Sequence, residues 1–125
     1  MSKFIRNNQR QGTCYLEFQI CKTDKPLTDG KASCDKIKHW QDDSIYMDWD
    51  DFAEFYELYG DLFGCVVFPN GGRGCDSCGV NYYGKSETEM IAEKLALRIE
   101  GDYAELILWL NAARETGRGF YILGV

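Results

Sequence analysis

The sequence predicts an α+β fold, a single compact domain in which about three helices pack on a small mixed sheet. The chain has 125 residues, 45% of them hydrophobic, which suits one core but is too short for two domains of roughly 100–150 residues each. One segment near the amino terminus alternates between apolar and polar residues, and two later segments have helical periodicity. We therefore expect residues 1–125 to form one α+β domain.

The sheet is expected to contain residues 13–21, 64–68 and 119–125. Residues 13–21 alternate, with Glu17 on the more polar face, which is typical of a half-buried strand. Residues 64–68 (GCVVF) are apolar on both faces and precede Pro69, so we expect a central strand there. Shorter strands are expected at 44–47 and 80–83.

Three helices are expected, at approximately 50–60, 87–99 and 103–116. Ser86 with Glu89, and Asp102 with Glu105, form the capping-box pattern, in which side chains satisfy free backbone amides at a helix start. Gly117 follows the last helix, at a position where a left-handed residue often ends one. Apolar residues at spacings of three and four give both later helices one face for the core.

Composition disfavours several classes of protein. Twenty acidic and fourteen basic residues give a net charge of −6, so binding to nucleic acid or to anionic membranes through overall charge is not expected. Residues 1–10 lack the apolar run of about 7–15 residues that forms a signal-peptide core, and no segment approaches the ~20 apolar residues of a membrane span. We therefore expect a cytoplasmic protein whose six cysteines are free or bind metal.

The acidic residues are concentrated in one segment. Residues 42–62 contain eight acids and no base, whereas residues 1–41 contain eight bases and four acids. On a helix, carboxylates of this segment recur at spacings of three and four, where like charges repel by roughly 0.2–0.5 kcal/mol per pair. Packing or a partner must therefore stabilise the helix. An adjoining ridge is aromatic and comprises Trp49, Phe52, Tyr56, Tyr59 and Phe63.

Three interpretations of the acidic segment are open. It is a core helix with an acidic solvent face, or a surface that binds a basic partner, with aromatic side chains as anchors among the carboxylates. The third is a cation site, although the segment lacks the twelve-residue calcium-loop pattern and its glycine. Asp48 is also the predicted N-cap of the helix. The residues predicted to contact a partner are Asp48, Trp49, Asp50, Asp51, Glu54, Glu57 and Asp61.

The glycine- and cysteine-rich loop at 69–79 suggests a metal site. Cys75 and Cys78 have the spacing of a zinc knuckle, in which two intervening residues let both thiolates face one ion. Cys34 and His39 are the first choices to complete a tetrahedral set, and they lie in a polar loop at 22–43 whose length calls for a functional or structural reason. Two alternatives remain open: the cysteines are free thiols, or the glycines of the loop cradle an anion.

These patterns favour a small acidic binding protein that inhibits a basic or nucleic-acid-handling protein partner, of the immunity or counter-defence type, through its acidic aromatic helix. The alternative is a zinc-stabilised structural or nucleic-acid-binding module that uses the basic half of the chain. A small enzyme of unknown chemistry is the third possibility. His39 is the only histidine and has no nucleophile beside it in a known pattern, so no catalytic residue is predicted.

Overall fold

A computed structural model of the protein describes residues 3–24, 37–63, 66–67, 73–74, 80–99 and 101–124. The strands are β1 (Phe4–Ile5), β2 (Tyr15–Ile20), β3 (Ile45–Asp48), β4 (Val66–Val67), β5 (Arg73–Gly74), β6 (Val80–Tyr83) and β7 (Phe120–Leu123). The α-helices are α1 (Trp49–Tyr59), α2 (Lys85–Ala96) and α3 (Glu105–Glu115), and short 3-10 turns lie at Asn7–Gln9 and Gly101–Tyr103. The predicted α+β class is confirmed.

Five strands form the main sheet, in the order β1-β3-β2-β7-β6. Every pairing in it is antiparallel. The expectation of a mixed sheet was therefore wrong. Strand β2 lies in the middle, where Glu17 is opposite Tyr46 on one side and Leu123 on the other. The predicted strands at 13–21, 44–47, 80–83 and 119–125 are all found in this sheet.

The expected central strand at 64–68 is wrong. Val66–Val67 pairs with Arg73–Gly74 in a separate two-stranded sheet. An apolar, β-branched run shows that a segment can be a strand but does not identify its partner. Here the partner is only a few residues further along the chain, and closing so short a connection costs little chain entropy.

The three helices lie where the sequence predicted them, but they begin differently. The N-cap residues of α2 and α3 are Gly84 and Ala104, and neither makes a side-chain capping bond, so both predicted capping boxes are wrong. Helix α2 begins at Lys85, ahead of the predicted cap Ser86, and Asp102 belongs to the preceding 3-10 turn. Gly117 adopts the expected left-handed conformation, with φ of 73°.

The main core lies between the helices and one face of the sheet. Phe55 of α1 is fully buried at its centre and contacts six other aromatic rings. Trp109 of α3 packs edge-on against Phe18 and Phe120. Its indole nitrogen donates a 2.9 Å hydrogen bond to the carbonyl oxygen of Asp43, which ties this helix to the segment before β3.

The opposite face of the sheet is also buried, contrary to the expectation of a half-buried strand. Glu17 is 0% exposed and Gln19 is 7% exposed. A second apolar cluster lies on this face, and Ile37 packs against it. The carboxyl-terminal part of the predicted loop at 22–43 therefore lies against the sheet. Among the described residues, no helix is long and apolar enough to cross a membrane.

Candidate functional site

The acidic segment forms α1, which begins as the sequence predicted. The Asp48 carboxylate accepts a 2.9 Å hydrogen bond from the backbone amide of Asp50, so Asp48 is the N-cap. Asp50 and Asp51 occupy the first turn, where the helix dipole favours negative charge. The helix buries Phe52, Phe55 and Tyr59 against the core.

The buried side of α1 differs from the predicted aromatic ridge. Phe55, which the ridge omitted, lies at the centre of the core, whereas Trp49, which the ridge included, is 39% exposed. Phe52, Tyr59 and Phe63 are buried as expected. The apolar stripe is therefore displaced toward Phe55 and leaves Trp49 at its margin.

The exposed side of α1 is an arc of carboxylates with an apolar side chain at each edge. At about 100° per residue, Leu58 is roughly 180° around the helix axis from Trp49. Glu57, Asp50 and Glu54 fall between these two residues, at about 80°, 100° and 140° from Trp49. Leu58 is 46% exposed, and the three carboxylate residues are also exposed. We refer to Trp49, Asp50, Glu54, Glu57 and Leu58 as the acidic arc.

Two other residues that were predicted to contact a partner form ion pairs within the chain. Lys3 Nζ lies 3.4 Å from Asp51 Oδ1, and Arg98 donates hydrogen bonds of 2.8 and 3.1 Å to both oxygens of Asp61. Hydrogen bonding from Arg98 lowers the pKa of Asp61 below its usual value. These bases come from outside residues 42–62, so the sequence pattern of the segment alone could not reveal them. They offset part of the repulsion along the helix.

The acidic arc itself retains its negative charge. Within the described part of the chain, Asp50, Glu54 and Glu57 take part in no ion pair. The neighbouring phenol of Tyr103 responds to this charge: burial first, and then the charge of Glu54, raise its pKa to about 12. Among the described residues, no base therefore compensates the negative surface that the arc presents on α1.

Only one of the four predicted metal ligands, His39, lies among the described residues. Cys34, Cys75 and Cys78 lie outside these residues, so the zinc site stays a prediction. His39 is described, and its Nδ1 atom lies 3.4 Å from Glu17 Oε1. In the described ranges no group of three or more His, Cys, Asp or Glu side chains is arranged to hold a metal ion.

Glu17 is the centre of a polar cluster that the sequence did not predict. Its carboxylate is fully buried and accepts its shortest hydrogen bond, 2.6 Å, from the hydroxyl of Ser44. A single acidic residue in an alternating strand looks like a solvent-facing one, and apart from Gln19 its partners lie more than twenty residues further along the chain. The other hydrogen-bond donors include the Gln19 side chain (3.0 Å), the backbone amides of Trp40 (2.8 Å) and Gln41 (3.1 Å), and the more distant Tyr46 hydroxyl (3.5 Å).

This cluster keeps Glu17 ionised. Burial alone would raise its pKa, but hydrogen bonds from His39, Ser44, Gln19 and the Trp40 backbone together lower the pKa to about 2. Burial and the nearby Glu17 charge raise the pKa of Tyr46 well above its usual range. A carboxylate this weakly basic, with its oxygens already occupied, is suited to anchoring donors and not to accepting a proton from a substrate.

Trp40 is held beside this cluster in an unusual conformation. Its φ of 64° places it in the left-handed region, which a bulky residue rarely adopts. The Arg10 guanidinium lies 3.8 Å from the centre of its ring, and the ring stacks on Tyr46 at 5.7 Å. Asn7 donates a 2.9 Å hydrogen bond to its carbonyl oxygen.

Comparison with known proteins gives no relative for this chain. No protein-family model, no curated protein and no solved structure matches it. Inference about function therefore depends on the chemistry of the acidic arc and of the Glu17 cluster.

Proposed function

We propose that this protein binds a basic partner protein through the acidic arc and inhibits it by occupying its basic surface. The observation that carries the proposal is the arc itself: three exposed carboxylates, in no ion pair among the described residues, lie between two exposed apolar side chains. Charge gives such a surface its attraction for a basic partner, and the apolar edges can be buried against that partner.

The dimensions of the arc define what the partner must present. Asp50 and Glu57 are seven residues apart, or about 10 Å along the helix axis. A matching surface carries two or three lysine or arginine side chains within that distance, with an apolar contact on each side. Proteins that handle nucleic acid carry basic surfaces of this kind. A protein covering such a surface would compete with the nucleic acid, which is the inhibitory mode of immunity and counter-defence proteins that we propose here.

The apolar and the acidic residues of the arc should contribute differently to binding of the partner. Trp49 and Leu58 can be desolvated in the complex, and buried aromatic side chains commonly dominate binding energy. The carboxylates mainly steer association, which they accelerate by long-range attraction that salt screens. Their loss should therefore slow association and weaken its dependence on ionic strength.

The alternative, a module that binds nucleic acid through the basic half of the chain, has less support. Among the bases of residues 1–41, Lys3 pairs with Asp51, and Lys22 pairs with Asp43 at 2.9 Å. These two ion pairs reduce the positive charge that this half of the chain can offer to nucleic acid. The zinc-stabilised version of this alternative depends on Cys75 and Cys78, which lie outside the described residues.

Affinity capture with a matched control tests the proposal. The variant E54K/E57K reverses two charges in the arc, and E87K/E115K reverses two exposed charges elsewhere, so both change the net charge by the same amount. Proteins captured from lysate of the native cell are identified and quantified by mass spectrometry. We expect wild type and E87K/E115K to capture the same basic protein. The variants E54K/E57K and W49A should fail to capture it. Equal capture by E54K/E57K and the control, or the absence of any basic protein, would contradict the proposal.

A further inference from the structure

We propose that residues 37–44 form a strap that opens as a unit from the sheet and that Glu17 is its latch. The strap lies against the face of the sheet opposite the helices, where Ile37 packs on the second apolar cluster. This inference concerns the other side of the sheet from α1 and is independent of the acidic arc.

Four of the contacts that hold the strap converge on one side chain. The backbone amides of Trp40 and Gln41 and the hydroxyl of Ser44 all donate to the Glu17 carboxylate, and His39 Nδ1 lies 3.4 Å from it. Hydrogen bonds to a buried charged group are roughly twice as strong as neutral ones. The loss of one group would therefore remove four contacts at once, which makes opening cooperative.

The closed strap also contains strained backbone. A left-handed tryptophan persists only where its surroundings hold it, and such strain often occurs in segments that switch. The surroundings here are the latch, the stacked Arg10 and the hydrogen bond from Asn7. Release from Glu17 lets the backbone of Trp40 relax, so strain favours the open state.

Opening would expose a distinct surface. The second apolar cluster beneath this region contains Cys21, Val80, Tyr121 and Leu123, all buried in the closed state. The Glu17 carboxylate would become accessible together with these residues. The main core lies on the opposite face of the sheet, so opening of the strap breaks the hydrogen bond that Trp109 donates to the carbonyl oxygen of Asp43 but leaves the packing of the sheet and helices in place.

Amide hydrogen exchange tests the latch, because the Trp40 and Gln41 amides are themselves bonded to Glu17. The probes of global unfolding are amides in the β2–β7 ladder, where Phe18 pairs with Ile122. The variants are S44A, which removes one donor, and E17Q, which removes the charge. E57Q is the control, because it removes an exposed carboxylate remote from the strap.

In the wild type we expect the Trp40 and Gln41 amides to exchange faster than the ladder amides, which indicates local opening. S44A should accelerate exchange at both strap amides about tenfold, and E17Q should accelerate it further. Neither variant should change the exchange rates of the ladder amides, and E57Q should exchange like the wild type at the strap amides. Two results would overturn the proposal: wild-type strap amides that exchange only as fast as the ladder, or S44A accelerating strap and ladder equally. If E17Q does not fold, S44A alone decides between these outcomes.

Discussion

The carboxylate of Glu17 and the hydroxyl of Ser44 are joined by a 2.6 Å hydrogen bond that connects residues 27 positions apart in the sequence. Glu17 lies in β2, and Ser44 immediately precedes β3, the antiparallel neighbour of β2. The bond fixes Ser44 against β2 at the point where β3 begins. The Glu17 side chain thus helps to position residues 37–44.

Acid should remove the stabilisation provided by Glu17. Because its folded-state pKa is lowered to about 2, its contribution is complete above the unfolded-state pKa of about 4.5 and is lost as the pH falls toward 2. Chemical unfolding of wild type and E17Q at several pH values measures this contribution. Wild type should be more stable by about 3 kcal/mol or more at pH 7, and the difference should shrink between pH 4.5 and 2. A difference that does not change with pH would contradict the assignment.

Gly119→Ala should destabilise the fold far more than Gly117→Ala. Both glycines have positive φ, 84° and 73° respectively, so alanine is strained at either position. At Gly119, however, a Cβ would also collide with the carbonyl oxygen of Tyr83, whereas no atom of the described residues lies within 4 Å of a Cβ at Gly117. We expect losses of about 1 kcal/mol for G117A and of 3 kcal/mol or more for G119A. Equal melting temperatures for the two variants would contradict this register of β6 and β7.

Phe55→Ala should be among the most damaging substitutions in α1. The ring is fully buried, and its removal leaves a cavity surrounded by six aromatic rings, at a cost of about 3–5 kcal/mol in unfolding free energy. Trp49→Ala is the control, because the predicted aromatic ridge included Trp49 and omitted Phe55, whereas the structure buries Phe55 and exposes Trp49. We expect W49A to change stability by less than about 1 kcal/mol. Urea unfolding of both variants measures the difference, and a larger loss for W49A would refute the orientation of α1.

Removal of the Arg98 side chain should raise the pKa of Asp61. The guanidinium donates to both carboxylate oxygens, and this hydrogen bonding lowers the pKa in the wild type. In R98Q the pKa of Asp61 should return toward its usual value. An NMR titration of the side-chain carboxyl carbons follows this group. If the pKa of Asp61 is the same in R98Q and wild type, the ion pair does not persist in solution.

Local patterns in the sequence were sufficient for most of the fold and for part of the site. Periodicity located three helices and four strands of the sheet, and Asp48 was recognisable as a cap because its partner is two residues away. Contacts between distant residues were not predictable. Nothing near Val66 indicates its pairing with Gly74, and nothing near Glu17 indicates that residues 40–44 will bury it.

The charge of α1 was predictable in sign but not in distribution. Eight acids without a base identified the segment, yet Lys3 and Arg98 neutralise Asp51 and Asp61 from elsewhere in the chain. Of the four acids on α1 itself, the three of the acidic arc are in no ion pair among the described residues, and only the folded arrangement separates them from the rest of the segment.

Site-specific photocrosslinking in the native cell tests the central claim most directly. Ala53 is exposed on α1 between Trp49 and Glu57 in angular position, and Ala112 is exposed on α3, so each can be replaced by a photoreactive phenylalanine derivative. The account predicts that position 53 crosslinks to a basic protein, that position 112 does not, and that E54K/E57K abolishes the product. A product that forms equally from position 112, or that survives charge reversal in the arc, would contradict it.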